Sequence, residues 1–376
     1  MTIFRYRMSL LTQRFSLVKS IPFAVFAIAL PVQLWLWFGP LPYTDNNLWV
    51  PAAQRFADGA WPAYTSPIPP HPGTSILLPV SGIILLGLPA NNAMQTTMSY
   101  MMAFCIAVLA YLCRKLRPQS LWWLGVCALF ILDPLYMEMS VPSALAGILS
   151  CIYVLLVLYA REKGVSREIL FYLGVCAGVL LATRIDVGAS MLLFSIPFLW
   201  TLAGKRLLVT FASAALFFGA LNPYLWENTY LYIVQLFKQI GSNAVTRDGF
   251  DHSLTVTIAP LLALLIGAFD AYRTERFLSL PRDYLKWLLA TCTLLCGLIL
   301  LSKYHPIRYF FPFMLIGEMF LPLFLLESLQ QFGSGPLLQP LRRSEYAIIA
   351  LLLVYRLWMT YTVWVYAFGP IFYRVV

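Results

Sequence analysis

Five short segments of this chain carry residues that could do chemistry. Lys303-Tyr304-His305-Pro306-Ile307-Arg308-Tyr309 places three side chains able to carry positive charge and two tyrosines within seven residues. Arg suits bidentate contact with a phosphate, and His and Tyr add further donors. Tyr43-Thr44-Asp45-Asn46-Asn47 offers a carboxylate immediately after a long apolar run. Burial against apolar helices would raise such a carboxyl toward the range of a general base. Asp is equally a preferred N-cap, here for a helix through Leu48–Ala57, and both readings stand. Thr65–Thr74 holds His71 in stiff proline-rich backbone, either as a site residue or as part of a rigid turn. Ala182-Thr183-Arg184-Ile185-Asp186 sets a cation in a very short connection, for a phosphate or for pairing with Asp186. Asp133 and Glu138 form a small acidic group, either a second carboxylate near Asp45 or solvated loop charge.

The elements that must position these residues are membrane helices. The 376 residues are 60% hydrophobic and 11% charged, with a mean hydropathy of +0.76. A soluble domain carries about 25% charge. The apolar residues fall in blocks near the length that crosses a bilayer, and a spanning segment must be helical to satisfy its own backbone. The blocks run over about 20–40, 75–88, 95–112, 119–133, 142–160, 168–183, 187–203, 206–222, 254–270, 286–302, 309–327 and 345–367.

The net charge of +10 is not a nucleic-acid signal, because the cations are distributed over short loops between apolar blocks. That distribution decides the topology. Ser75–Leu88 is short and interrupted by Pro79, Gly82 and Gly87. If it does not cross, eighteen of the 26 Lys and Arg lie on the N-terminal side of the membrane. The expected fold is therefore an all-α polytopic membrane protein of about eleven transmembrane helices. It forms one domain over 1–376, with a first extracytoplasmic loop at 43–95 carrying interfacial helices and a second at 222–253. The N-terminus is expected in the cytoplasm, uncleaved. His71, His252, His305, Asp45, Asp133, Glu138 and Asp186 then share the outer face. The seven cysteines lie in or beside apolar blocks and read as small packing residues. No Cys-x-x-Cys metal pattern occurs. Glu318 and Arg356 lie inside predicted spans, where a charge is a functional hypothesis by default and a structural ion pair is an equal alternative.

The order of these features resembles the GT-C superfamily of membrane glycosyltransferases, which includes protein O-mannosyltransferases and lipid A aminoarabinose transferases. The likeness rests on a basic N-terminus, one helix, Asp45 opening a long loop, Phe56-Ala57-Asp58-Gly59 and Tyr64 within it, and His71-Pro72 before an interfacial segment. His305…Arg308-Tyr309…Pro312 is similar to that family's Arg-Tyr-x-x-Pro element. The resemblance implies an inverting transfer of a sugar from a polyprenyl-phosphate donor, in a bacterial inner membrane, on the extracytoplasmic face. It implies Asp45 as the base, with Asp133 or Glu138 as a second acidic position. Lys303, His305, Arg308, Tyr309 and Arg184 would hold the donor phosphate, and Asn46, Tyr64 and His71 would line the substrate loop. Asp45 is followed by Asn46 and Asn47 where relatives carry paired carboxylates, so no metal ligand set is expected; a divalent metal has only weak support and no other cofactor is implied. With no soluble domain after the last helix, the expected acceptor is a lipid-linked or surface glycan. A transporter or flippase of a lipid-linked sugar is the alternative, and a structural subunit or an acyltransferase-like enzyme is a third reading.

Overall fold

The computed structural model describes residues 2–38, 46–60, 74–133, 141–234, 280–301, 307–332 and 338–372, with side chains over most of these ranges. Among the described residues there is no strand. The helices are α1 (Thr2–Trp37), α2 (Asn46–Ala57), α3 (Thr74–Leu85), α4 (Ala90–Leu116), α5 (Trp122–Phe130), α6 (Val141–Lys163), α7 (Arg167–Thr183), α8 (Ile185–Ala203), α9 (Leu208–Ala220), α10 (Pro223–Glu227), α11 (Arg282–Leu301), α12 (Ile307–Phe332) and α13 (Leu338–Phe372). Five stretches within the helices are long and apolar enough to cross a membrane: Ser20–Trp37, Ala90–Leu116, Pro142–Lys163, Ile185–Ala220 and Phe311–Leu329.

The stretch Ile185–Ala220 is two helices rather than one long pass. Gly204 adopts φ +55°, in the left-handed region that favours glycine, and opens a 3-10 turn over Gly204–Leu207. Helix α9 then lies parallel to α7. Thr210 Oγ1 donates to the Leu170 carbonyl at 3.0 Å, Gly174 faces Thr210 and Ser213, and Gly178 faces Ala214 and Phe217. Since α7 and α9 advance in the same direction, α8 must run back between their far ends. Its 19 residues extend about 28 Å, close to the thickness of a hydrocarbon core.

Small residues allow this close approach, as is common where helices meet in lipid. A Cβ at Gly174 would overlap Ser213 Oγ and the Thr210 carbonyl oxygen. Gly174→Val is therefore expected to destabilise the protein by about 1–3 kcal/mol, seen as a lower midpoint of thermal unfolding. An unchanged midpoint would show that α7 and α9 do not meet here.

Ion pairs sort the helix ends into two sets. Arg117, just past α4, makes a bidentate pair with Glu162 near the end of α6, both contacts at 2.7 Å. Burial pulls the Arg117 guanidinium down, but the Glu162 carboxylate outweighs it and holds the group above the ordinary arginine value. Arg161 bonds Asp283 of α11 at 2.5 Å. The starts of α7 and α9 join this basic end. The opposite end collects the last turns of α1, the end of α5, the start of α6, the α7–α8 junction and the start of α3. Gln33 Nε2 donates to the Ile131 carbonyl at 2.9 Å, Arg184 Nη1 to Ser143 Oγ at 2.8 Å, and the Ser75 and Thr183 hydroxyls meet at 2.7 Å. Thus the basic segments 114–117, 161–167, 205–206 and 282–286 share one end, as their charge pattern predicts.

Two short elements refine the sequence reading. Helix α3 has 12 residues, about 18 Å and less than the thickness of a hydrocarbon core. It packs on α2, where Ser81 Oγ donates to the Ala53 carbonyl at 2.9 Å. Helix α5 has only 9 residues, shorter than the 119–133 block. Residues 117–121 are spent in the turn around Pro118, and the helix stops at Phe130, short of the Leu132 carbonyl that bonds Thr360 Oγ1 at 2.7 Å. The block 254–270 lies outside the described residues. Six cysteines, Cys105, Cys113, Cys127, Cys151, Cys176 and Cys292, are buried, as packing residues would be.

Candidate functional site at the Arg184 end

The α7–α8 connection is a single residue. Arg184 caps α7, donating its backbone N–H to the Leu180 carbonyl at 2.7 Å, and its own carbonyl accepts from Gly188 at 2.8 Å to start α8. Its φ of −147° is extended backbone that any residue adopts. The tight reversal needs glycine one turn later instead: a Cβ at Gly188 would meet the Leu181 backbone nitrogen at 2.5 Å.

That geometry turns the Arg184 side chain into the bundle, where it is 6% exposed, and leaves Asp186 at 40%. Nε donates to Asp186 Oδ1 at 3.0 Å, Nη2 to Asp186 Oδ2, and Nη1 to Ser143 Oγ. Of the two readings that the short spacing allowed, the Arg184–Asp186 pair is formed. Asp186 also sits in the first turn of α8, where a carboxylate suits the positive end of the helix dipole. The Ser75–Thr183 contact fastens the first turn of α3 beside this pair. Helix α12 begins at the same end: Phe311 and Leu315 press on Gly147, one turn along α6 from Ser143. The backbone of Arg308 and Tyr309, in the first turn of α12, therefore lies at the Arg184 end.

Asp133 behaves differently from either expectation. It is fully buried, so it is not a solvated loop charge, and in this conformation it has no surface to offer a substrate. Its Oδ1 accepts from Arg356 Nη1 at 3.0 Å, while Arg356 Nη2 donates to Glu318 Oε2. The pairing considered for Glu318 and Arg356 is thus present, with Asp133 as a third member joining α5, α12 and α13. Charge and burial explain the difference: a guanidinium in an apolar interior is stable only with carboxylates beside it.

Asp45, Tyr64, His71, Glu138, Lys303 and His305 lie outside the described residues, and Asn46 opens α2. Sequence reading did not single out Ser75, Thr183, Ser143 or Gln33. Gln33 is fully buried and accepts from Trp37 Nε1 at 3.1 Å; a polar residue inside the apolar first helix was the available signal. Among the described residues, no group of three or more His, Cys, Asp or Glu could hold a metal ion.

The fold is that of an all-helical protein with helices long and apolar enough to cross a membrane. No protein-family model, curated protein or solved structure matches the chain.

Proposed function

We propose that this chain is an inverting glycosyltransferase of the GT-C type, with about eleven membrane spans and its N-terminus in the cytoplasm of a bacterial cell. It moves a sugar from a polyprenyl-phosphate carrier to a lipid-linked or surface glycan on the outer face. The observation that carries the reading is the construction of the Arg184 end. Two short helices from the first loop, α2 and α3, pack together there, with α3 fastened through Ser75 to the residue before Arg184. The helix bearing Arg308 and Tyr309 starts at the same end of the bundle, against α6. A lipid phosphate and its sugar at a membrane surface need this combination of cations and a partial cover over apolar helices.

In the proposed reaction Asp45 takes the proton from the acceptor hydroxyl. The acceptor oxygen forms the new bond to the anomeric carbon from the face opposite the phosphate. The bond from that carbon to the phosphate oxygen breaks, and its electron pair leaves on polyprenyl phosphate. Lys303, His305, Arg308 and Tyr309 face the developing charge, where fixed cations help most. Arg184 joins them when the phosphate displaces Asp186, the more exposed partner of the pair. Glu138 remains the candidate second carboxylate, and His71, Tyr64 and Asn46 line the loop.

The test is release of polyprenyl phosphate from a polyprenyl-phosphate sugar by the purified protein in liposomes, with a glycolipid acceptor. Arg308→Ala is expected to raise the donor KM roughly tenfold or more, as for the loss of a charged hydrogen bond, with the acceptor KM unchanged. Equal effects on both constants would remove Arg308 from the phosphate site.

One observation favours the flippase reading. The Asp133–Arg356–Glu318 cluster lies near the middle of α12 and α13, and charges at such depth mark transport paths in many membrane proteins. Movement of a labelled lipid-linked sugar between leaflets, with no polyprenyl phosphate released, would decide for transport.

A further inference from the structure

Among the described residues, the basic end of the bundle holds more positive charge than its carboxylates neutralise. Glu162 is taken by Arg117 and Asp283 by Arg161. Arg167, Lys205 and Arg206 are exposed and have no carboxylate partner among the described residues. These three are neighbours in space. The Thr210 Oγ1 bond to the Leu170 carbonyl puts the turn Gly204–Leu207 beside the first turn of α7, which Arg167 opens. Glu168 is the single carboxylate within residues 166–172 and 200–208.

Exposed apolar side chains adjoin the cations. Tyr172 is 57% exposed, Trp200 55% and Leu208 69%, and each lies within about two turns of Arg167, Lys205 or Arg206 along its own segment. A soluble anion has no use for such a border. A ligand that joins an anionic head to apolar tails matches both halves of it: the head meets the guanidiniums and ammonium, and the tails lie on the rings and Leu208.

We propose that Arg167, Lys205 and Arg206, bordered by Tyr172, Trp200 and Leu208, form a binding surface for an anionic phospholipid. The surface is at the end opposite Arg184 and does not depend on the transferase reading. Phosphate recognition here is by charge and by Arg donors, so the lipid discriminates by head-group charge rather than by chain. Neutral phosphatidylcholine covers the same apolar border without engaging the cations.

The experiment uses the full chain in detergent micelles, with native mass spectrometry counting bound lipid as phosphatidylglycerol or phosphatidylcholine is added. Phosphatidylglycerol is expected to bind about tenfold or more tightly. Raising the ionic strength from about 0.05 to about 0.5 M should remove most of that preference. The triple variant R167Q/K205Q/R206Q should lose it at low salt, since each cation near a head group contributes independently. Equal binding of the two lipids to the unaltered protein would overturn the proposal, with no variant needed. So would a preference that persists at high salt or in a folded triple variant. Inorganic phosphate at millimolar concentration should leave phosphatidylglycerol bound; displacement by it would show a simple anion site and sink the lipid assignment.

Discussion

Arg356→Met is expected to destabilise the protein by about 3–5 kcal/mol, the usual cost of removing one partner from a buried ion pair. Arg356 is 1% exposed and bridges Asp133, fully buried, and Glu318. Methionine fills much of the volume but leaves two carboxylates together in an apolar interior. The same change severs the side-chain link between α13 and the end of α5, leaving Thr360 to hold the Leu132 carbonyl alone among the bonds described there. Thermal unfolding in detergent should show a midpoint many degrees lower, or no folded protein at all. The triple variant D133N/E318Q/R356M separates the two causes. It removes every charge while keeping the shape, and buried ion clusters replaced by neutral groups are often no less stable. Recovery of most of the lost stability in the triple variant is the expected outcome. If Arg356→Met alone unfolds at the wild-type temperature, the cluster does not hold these helices together.

Asp45→Asn should lower sugar transfer by about a hundredfold to ten-thousandfold, the range contributed by a positioned general base. Asparagine keeps the size and hydrogen-bonding reach of aspartate but cannot accept the acceptor's proton. Donor binding should be unchanged, because the phosphate contacts are assigned to other residues. The rate of lipid release and the donor affinity, measured on the same preparation, give both halves of the prediction. Transfer at the normal rate would remove Asp45 from the chemistry, and with it the main ground for an enzyme over a flippase.

The helix directions were legible because charge cannot be hidden in lipid. Lys205 and Arg206 mark the break between α8 and α9 in a stretch of 36 residues whose other charge is Asp186, and the basic segments at 114–117 and 161–167 mark the ends that Arg117 and Glu162 tie together. The shortness of the helix in Ser75–Leu88 was legible for a similar reason: its glycines and proline leave 12 residues. Partners across the bundle were not legible. Asp133 and Arg356 are 223 positions apart, and no local pattern says which carboxylate an intramembrane arginine will meet. Asp133 therefore read as a second carboxylate near Asp45 or as solvated loop charge from its neighbours in sequence, while its neighbours in space place it in the interior. Arg184 shows the intermediate case. Its pair with Asp186 could be read from a spacing of two, but Ser143, which holds the guanidinium from another helix, could not.

The separation of the two ends by a membrane underlies both the proposed transfer and the lipid surface, and labelling tests it most directly. Tyr230 follows α10 beyond the Arg184 end of α9, and Lys205 belongs to the basic end; both are exposed. The six described native cysteines are buried, which keeps background reaction low. Single Tyr230→Cys and Lys205→Cys variants would be treated in intact cells with the outer membrane opened, using a maleimide that cannot cross the inner membrane. The expected result is labelling of Tyr230→Cys at once and of Lys205→Cys only after the membrane is broken. Labelling of both from the same side would contradict the arrangement on which the proposed function rests.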